Sequence, residues 1–552
     1  MSAPEVSRSF ALLALLLLPA FGCGVSEEES TLPSDRREAN PMGQVVDLAL
    51  EPATPATIAQ HVRAKARVLA AREYSGRDTQ LPASLANLDY SDYRSIRYRP
   101  AAALWRDASP FEVQLLPRGG LFSEAVQLHV VGSEQVLEMP FDPTLFSFEG
   151  RSAQANQEDR AALGYSGFRV HYPLNRPEVA DEIVVFQGAS YFRLLGPGHV
   201  HGLSSRGLAI DIGEYAGEEF PDFIEFWLVE PSAGDRTLVF YALLDSPSVT
   251  GAYRFELEPG PETVLHVSAR LFARHDVNKL GVAPLSSMFL YGPNEAWNYD
   301  DFRPEVHDSD GLMMLTRVGE WIWRPLANRQ DVRVTALRDG EPQGFGLAQR
   351  ARNFGQYLDL ETSYHRRPSQ WVERVGGDWG VGGVELLEAP TDSEFSDNVA
   401  VSWVPDRPFR AGDERYYEYR LVTFDDRLDH QTLAQVQRTR IGWDALPGAA
   451  APPPVSQRRV VVDFSLGGRV GDRTMGVESA VVEAVIEISA GEISDVRMAP
   501  LPDDAGWRVS FRLSPAGSEP ADMRLHLVRD KARVSESWSY VWYPQGPRIS
   551  TN

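Results

Sequence analysis

The sequence predicts an all-β chain in two domains, on three observations. Period-two hydrophobic patterning dominates from about Ser91 onward, glycine and proline clusters punctuate it, and one composition shift divides it near residues 424–457. In AVQLHVV, Val126, Leu128 and Val130 alternate with Gln127 and His129. In AYRFELEP, Tyr253, Phe255 and Leu257 alternate with Arg254, Glu256 and Glu258. Such segments bury one face of a strand and wet the other. Breaks such as Gly196-Pro197-Gly198 and Glu258-Pro259-Gly260-Pro261, with few helical stretches between, favour antiparallel sheets over βαβ units.

At the N-terminus, Phe10 to Pro19 is an apolar run far short of the ~20 residues of a membrane-spanning helix. Arg8 precedes it and Ala20-Phe21-Gly22-Cys23 follows, the layout of a secretory signal with Cys23 as lipid acceptor. The reading is therefore residues 1–23 as a lipoprotein-type signal peptide. The polar, charged stretch 24–43 is a tether rather than a core element. Export follows, with the membrane reached only through the lipid.

The next element is an amphipathic helix within TIAQHVRAKARVLAARE, where Ile58, Val62, Ala66 and Leu69 share a face. It opens a large domain, 44–431. Beyond the polar DDRLDHQTLAQ and the Ala/Pro-rich DALPGAAAPPP, alternation resumes. Trp507, Val509, Phe511 and Leu513 share one face, and Met523, Leu525 and Leu527 another. About seven short strands in this stretch suggest a small immunoglobulin-like sandwich, placed at 432–552 with the Ala/Pro run as a loop inside it.

Composition narrows the function classes. Cys23 is the single cysteine, so the mature chain has neither disulfide nor thiol chemistry. A formal charge of −23 argues against nucleic acid as a partner. No P-loop, paired CxxC or HExxH is present, and Gly188-Ala189-Ser190 and Gly202-Leu203-Ser204 lack the second glycine of a nucleophile elbow. His199 and His201 would share a strand face but have no third metal ligand nearby. No metal or cofactor is expected.

Chemistry concentrates between residues 281 and 403. Trp297, Trp321, Trp323, Trp371, Trp379 and Trp403 lie there, half of the chain's tryptophans. Indole faces stack on the C–H faces of sugars, and charged forks bind hydroxyls. Any one of these tryptophans would serve equally well in a sandwich core. A glycosidase needs one carboxyl to protonate the leaving oxygen and one to activate water. Asp300, Asp301, Glu305, Asp308, Asp310, Glu320, Asp378, Glu385, Glu388, Asp392, Glu394 and Asp397 are all candidates, and composition does not choose between them.

The motifs do choose. GASYFR (188–193), GLSSRGLAID (202–211), EEFPDFIEFW (218–227), YALLDSPSVTGAY (241–253), KLGVAPLSSMFLYGPN (279–294), DFRPEVHDSDGL (301–312), GEWIWRPL (319–326), GFGLAQR (344–350), RRPSQWVE (366–373) and PTDSEFSDN (390–398) closely resemble the periplasmic glucan biosynthesis protein G/D family, from about Leu81 to the C-terminus. The resemblance implies a large galactose-mutarotase-like β-sandwich with an acidic, aromatic cleft, joined to an immunoglobulin-like one. It also implies a periplasmic role in making osmoregulated glucans with a β-1,2-linked backbone. Some members resembling this chain are inverting endo-β-1,2-glucanases. Their general acid matches Asp397 of PTDSEFSDN, and the base that activates water matches Asp308 of DFRPEVHDSDGL. Such a pair stands about 6.5–9.5 Å apart to admit water, unless a relay passes the proton.

The expected subsite residues come from these motifs and from the acidic, aromatic stretch around them. They are Tyr191, Arg193, Glu225, Trp321, Trp323 and Arg324, then Arg350, Tyr364, Arg367, Trp371, Trp379 and Glu385. This sequence departs from the family pattern at His365, where an acidic residue is common, and in the variable stretch Trp297-Asn298-Tyr299. Its signal is lipoprotein-type, with no twin arginine. Two functions remain in view: hydrolysis or transfer of β-1,2-glucan by Asp397 and Asp308, or a non-catalytic factor that holds the nascent polymer. In the second, the C-terminal sandwich docks to a membrane glucosyltransferase. A structural sandwich with no polymer role is the third and plainest reading.

Overall fold

The computed structural model describes residues 53–295, 299–445, 451–465, 482–502 and 505–544. The signal, the tether, Cys23 and Trp297 lie outside them. Within them the chain is all-β, as the alternation predicts, with short helices at the N-terminal side.

Two large sheets face each other. In the ten-stranded sheet, Val179–Gln187, Tyr191–Leu194, Ser204–Arg206, Leu280–Ser287 and Val399–Pro405 follow one another as hydrogen-bonded neighbours. The fifteen-stranded sheet includes Asp222–Val229, Leu238–Asp245, Val249–Glu258, Thr263–Ala273 and Glu414–Phe424, antiparallel in that order. Between the sheets lies a phenylalanine-rich core. The Phe186 ring meets Phe192 of its own sheet at 4.7 Å and Phe240 of the opposite sheet at 5.3 Å. The first pair is stacked and the second edge-to-face, and the edge-to-face geometry suits the ring quadrupoles. The predicted helix is Ile58–Ala70. It buries Ile58, Val62 and Ala66 against the outer face of the fifteen-stranded sheet, around Trp227 and Leu243.

The C-terminal strands form a second sandwich, but one sheet of it is shared. Val436–Trp443, Arg458–Ser465, Gly506–Ser514 and Glu492–Pro500 make a separate four-stranded sheet. The Ala/Pro run falls between the first two of these, which pair antiparallel. The facing strands Val482–Ile488, Ala521–Arg529 and Ser537–Trp542 instead continue the fifteen-stranded sheet. The join is a parallel pairing that aligns Ile322 with Ser537 and Trp323 with Trp538. Predicted face-sharing holds here: Val509, Phe511, Leu513, Met523, Leu525 and Leu527 all enter this second core.

Candidate active site

The five neighbouring strands of the ten-stranded sheet form the floor of a cavity of about 450 Å³. Strand parity decides what faces it. In Tyr191–Leu194, Phe192 and Leu194 are buried in the sandwich core while Tyr191 and Arg193 reach the cavity. One strand over, Ser204 and Arg206 line the cavity, and Ser205 turns inward to donate to Gln370 of the opposite sheet at 2.7 Å. The short helix Tyr90–Tyr93 and several loops supply the walls: Tyr90, Arg94, Leu121, Phe122 and Glu124, then Asp308, Arg367 and Glu394 to Asp397.

The two aspartates arrive from separate segments. Asp308 follows the short strand Val306–His307, and its amide donates to the Met288 carbonyl at 2.8 Å. Asp397 is held by its neighbour. Buried Asn398 accepts from the Phe289 amide at 2.8 Å, and its side-chain amide donates to the carbonyls of Phe289 at 3.1 Å and Ala389 at 3.0 Å. Met288 and Asp397 are thereby locked to one another.

Burial raises both carboxyls, and a direct ion pair to one of them sets them apart. Desolvation pushes the Asp397 carboxyl up to about 6, and the Asp308 charge adds to this, against the pull of Arg193, Arg206 and Arg367. Burial also raises the Asp308 carboxyl, opposed by Arg367 and Arg193. Arg367 forms a direct ion pair with Asp308. Its guanidinium lies 4.1 Å from the centre of the Tyr364 ring, whose hydroxyl donates to Glu394 at 2.5 Å. Glu394 also accepts from Arg303 at 2.8 Å. A continuous polar chain thus ties the loop bearing Asp397 to the cation that engages Asp308. Across the floor, Arg206 pairs with Glu218 and covers the Tyr191 ring at 4.9 Å. Arg193 donates to Ser204 at 3.0 Å.

Of the expected site residues, the structure brings together Asp308, Asp397, Tyr191, Arg193 and Arg367, with Tyr364 directly behind Arg367. The others stand elsewhere. Glu225 lies on the opposite sheet beneath the N-terminal helix, paired with Lys65 and 2.7 Å from His129. Trp321, Trp323 and Trp371 belong to the second core. Arg350 stacks on Trp323 at 3.7 Å and pairs with Glu536, so it is a junction residue. Arg324 is buried against Glu388 at 3.0 Å. Trp379 packs in the first core beside Trp403 and Tyr417 and donates to the Gly376 carbonyl at 2.7 Å. Glu385 pairs with Lys279 at 3.1 Å.

Sequence reasoning passed over Arg206 and Phe395, and left Glu394 undistinguished among the candidate carboxyls. All three sit inside quoted motifs, but only three-dimensional proximity separates them from their neighbours. His199 and His201, on one strand face in the sequence reading, engage different carboxylates, Asp425 at 2.8 Å and Glu182 at 2.9 Å. No helix among the described residues is long and apolar enough to cross a membrane.

Comparison with known proteins agrees with the motifs. "Glucans biosynthesis protein G" of Vibrio cholerae serotype O1 is 40% identical over 553 residues, covering 97% of this chain and 98% of the relative. The protein of the same name from Shewanella sp. strain MR-4 is 41% identical over 545 residues, 97% of each chain. The family described as "Periplasmic glucan biosynthesis protein, MdoG" matches residues 58–542. The chain therefore belongs to the MdoG family of periplasmic glucan biosynthesis proteins.

Proposed function

We propose that this chain binds a β-1,2-linked glucan in the cavity and hydrolyses it as an inverting endo-glucanase, with Asp397 as general acid and Asp308 as general base. The supporting observation is the environment of Asp397. Its carboxyl, raised to about 6, holds its proton far above the ordinary aspartate range. A neighbouring carboxyl, Asp308, is held by a guanidinium. A carboxyl that keeps its proton, beside a second carboxyl, is the pair that glycoside hydrolysis uses. Tyr191, with Arg193, Arg206 and Arg367, supplies a ring face and donors for sugar hydroxyls.

The test is incubation of purified protein with linear β-1,2-glucan, following chain length by chromatography. Wild type shortens the polymer, and Asp397→Asn and Asp308→Asn each lose roughly 100-fold or more. One observation favours a second reading, a non-catalytic glucan-holding factor: the Asp308 carboxylate is already engaged by Arg367, which competes with the water it would have to activate. Polymer that stays intact while binding persists supports that alternative. The proposal extends to the membrane: Cys23 carries a lipid, and the C-terminal sandwich docks to a membrane glucosyltransferase. Labelled palmitate incorporation, with Cys23→Ser as control, tests the anchor.

A further inference from the structure

Several large apolar side chains stand exposed around one ion-pair cluster beside the cavity. Phe302 is 75% exposed, Leu360 76%, Phe395 48% and Leu358 44%. Their chain neighbours are tied together. Arg303 donates to Asp359 at 3.0 Å and to Glu394 at 2.8 Å, which draws the segments bearing Phe302, Leu358, Leu360 and Phe395 to one place. Soluble proteins seldom leave such a group uncovered without a ligand for it.

Two facts indicate the occupant. Phe395 belongs both to this rim and to the cavity wall, so the rim is continuous with the cavity. The cavity itself, about 450 Å³, is of the size that encloses a compact small ligand, and a polymer bound there must continue outside it. A protein seated on the rim would cover Phe395 and obstruct the entrance. A sugar chain would use the rim as its path.

We propose that Phe302, Leu358, Leu360 and Phe395 form an apolar platform on which the glucan lies after leaving the cavity, so that they set preference for long chains. The inference rests on the glucan-binding reading above. On it, sugar rings present their C–H faces to the Phe302 and Phe395 rings while hydroxyls stay in water.

The test is binding of size-graded linear β-1,2-gluco-oligosaccharides by calorimetry. Asp397→Asn serves as parent so that ligands stay intact. Phe302→Ala and Leu360→Ser, each at a largely exposed position, are added to it. Chains too long for the cavity should bind roughly tenfold more weakly to the Phe302→Ala protein, trisaccharides should bind as in the parent, and Phe302→Tyr should restore long-chain affinity. If the parent favours long chains and the added substitutions leave that preference unchanged, the platform is wrong and the cavity reading stands. If wild type and parent both bind no glucan of any length, both readings fall together. Sedimentation that shows a dimer dispersed by Phe302→Ala, with chain-length preference untouched, would assign the rim to a second copy and overturn the proposal.

Discussion

At Asp397, burial and the neighbouring arginines act in opposite directions, and burial prevails. The folded protein holds this proton with a pKa of about 6, against an ordinary aspartate value near 4 in the unfolded chain. At this group the folded state therefore binds more protons between about pH 4 and 6. Its contribution to stability falls as pH rises through that window and levels off above it. Asp397→Asn removes this slope, and at pH 7 should be more stable than wild type by on the order of 1 kcal/mol, measured by urea denaturation. Activity follows the same proton: in the proposed reaction kcat/KM declines above about pH 6 as the acid form is lost. A profile flat from pH 5 to 8 would remove Asp397 from the acid role. Both aspartates are readable in the sequence because each sits in a long ordered motif. The tryptophans are not. Trp379 and Trp371 occupy acid- and arginine-rich stretches, yet their rings face cores. An indole has the same composition in a cleft and in a core, and only strand parity and the packing of distant sheets decide between them.

Elements place these residues by parity and by bracing. Tyr191 and Arg193 share a strand with core residues Phe192 and Leu194, and a one-residue slip would exchange the two faces. That alternation is visible in sequence; which face meets a cavity is not. The bracing is less visible still. His307, next to Asp308, lies 3.1 Å from Glu305, and Glu305 accepts from Arg438 at 2.8 and 3.0 Å. Burial pushes the Glu305 carboxyl up, but His307 and Arg438 outweigh it and hold it below its ordinary value. A strand of the C-terminal sheet thus steadies the segment that carries Asp308 through a link across 133 residues. Arg438→Met leaves a buried carboxylate without its cation and should cost about 3 kcal/mol, read from the chemical midpoint at constant m-value. Turnover should fall more than glucan affinity, because the cavity floor is untouched. A variant that loses affinity and turnover equally would place Arg438 outside this bracing.

For the whole molecule, the sequence suggests two sandwiches and the structure shows a sheet common to both. The composition shift near 424–457 is real, but Trp321–Pro325 pairs with Ser537–Trp542 over a separation no local pattern reveals. At this join Arg350 and Glu536 are fully buried and form two hydrogen bonds, of 2.7 and 2.8 Å, with Arg350 stacked on Trp323. Glu536 also accepts from the Val436 amide at 2.9 Å. Such a pair contributes little net stability against an apolar replacement, but half of it is costly. Arg350→Met should therefore destabilise by about 3–5 kcal/mol by leaving Glu536 buried and unpaired. Arg350→Met with Glu536→Leu should recover a large part of that loss. Both domains should still unfold in one transition, because the shared sheet couples their cores. The check is denaturation followed separately by tryptophan fluorescence and far-ultraviolet circular dichroism. If the double variant is no more stable than Arg350→Met, the cost lies in the lost Trp323 stacking and the Val436 contact rather than in the stranded charge. If the two probes separate in wild type, the parallel join is not the coupling element, and the sandwiches are independent despite their common sheet.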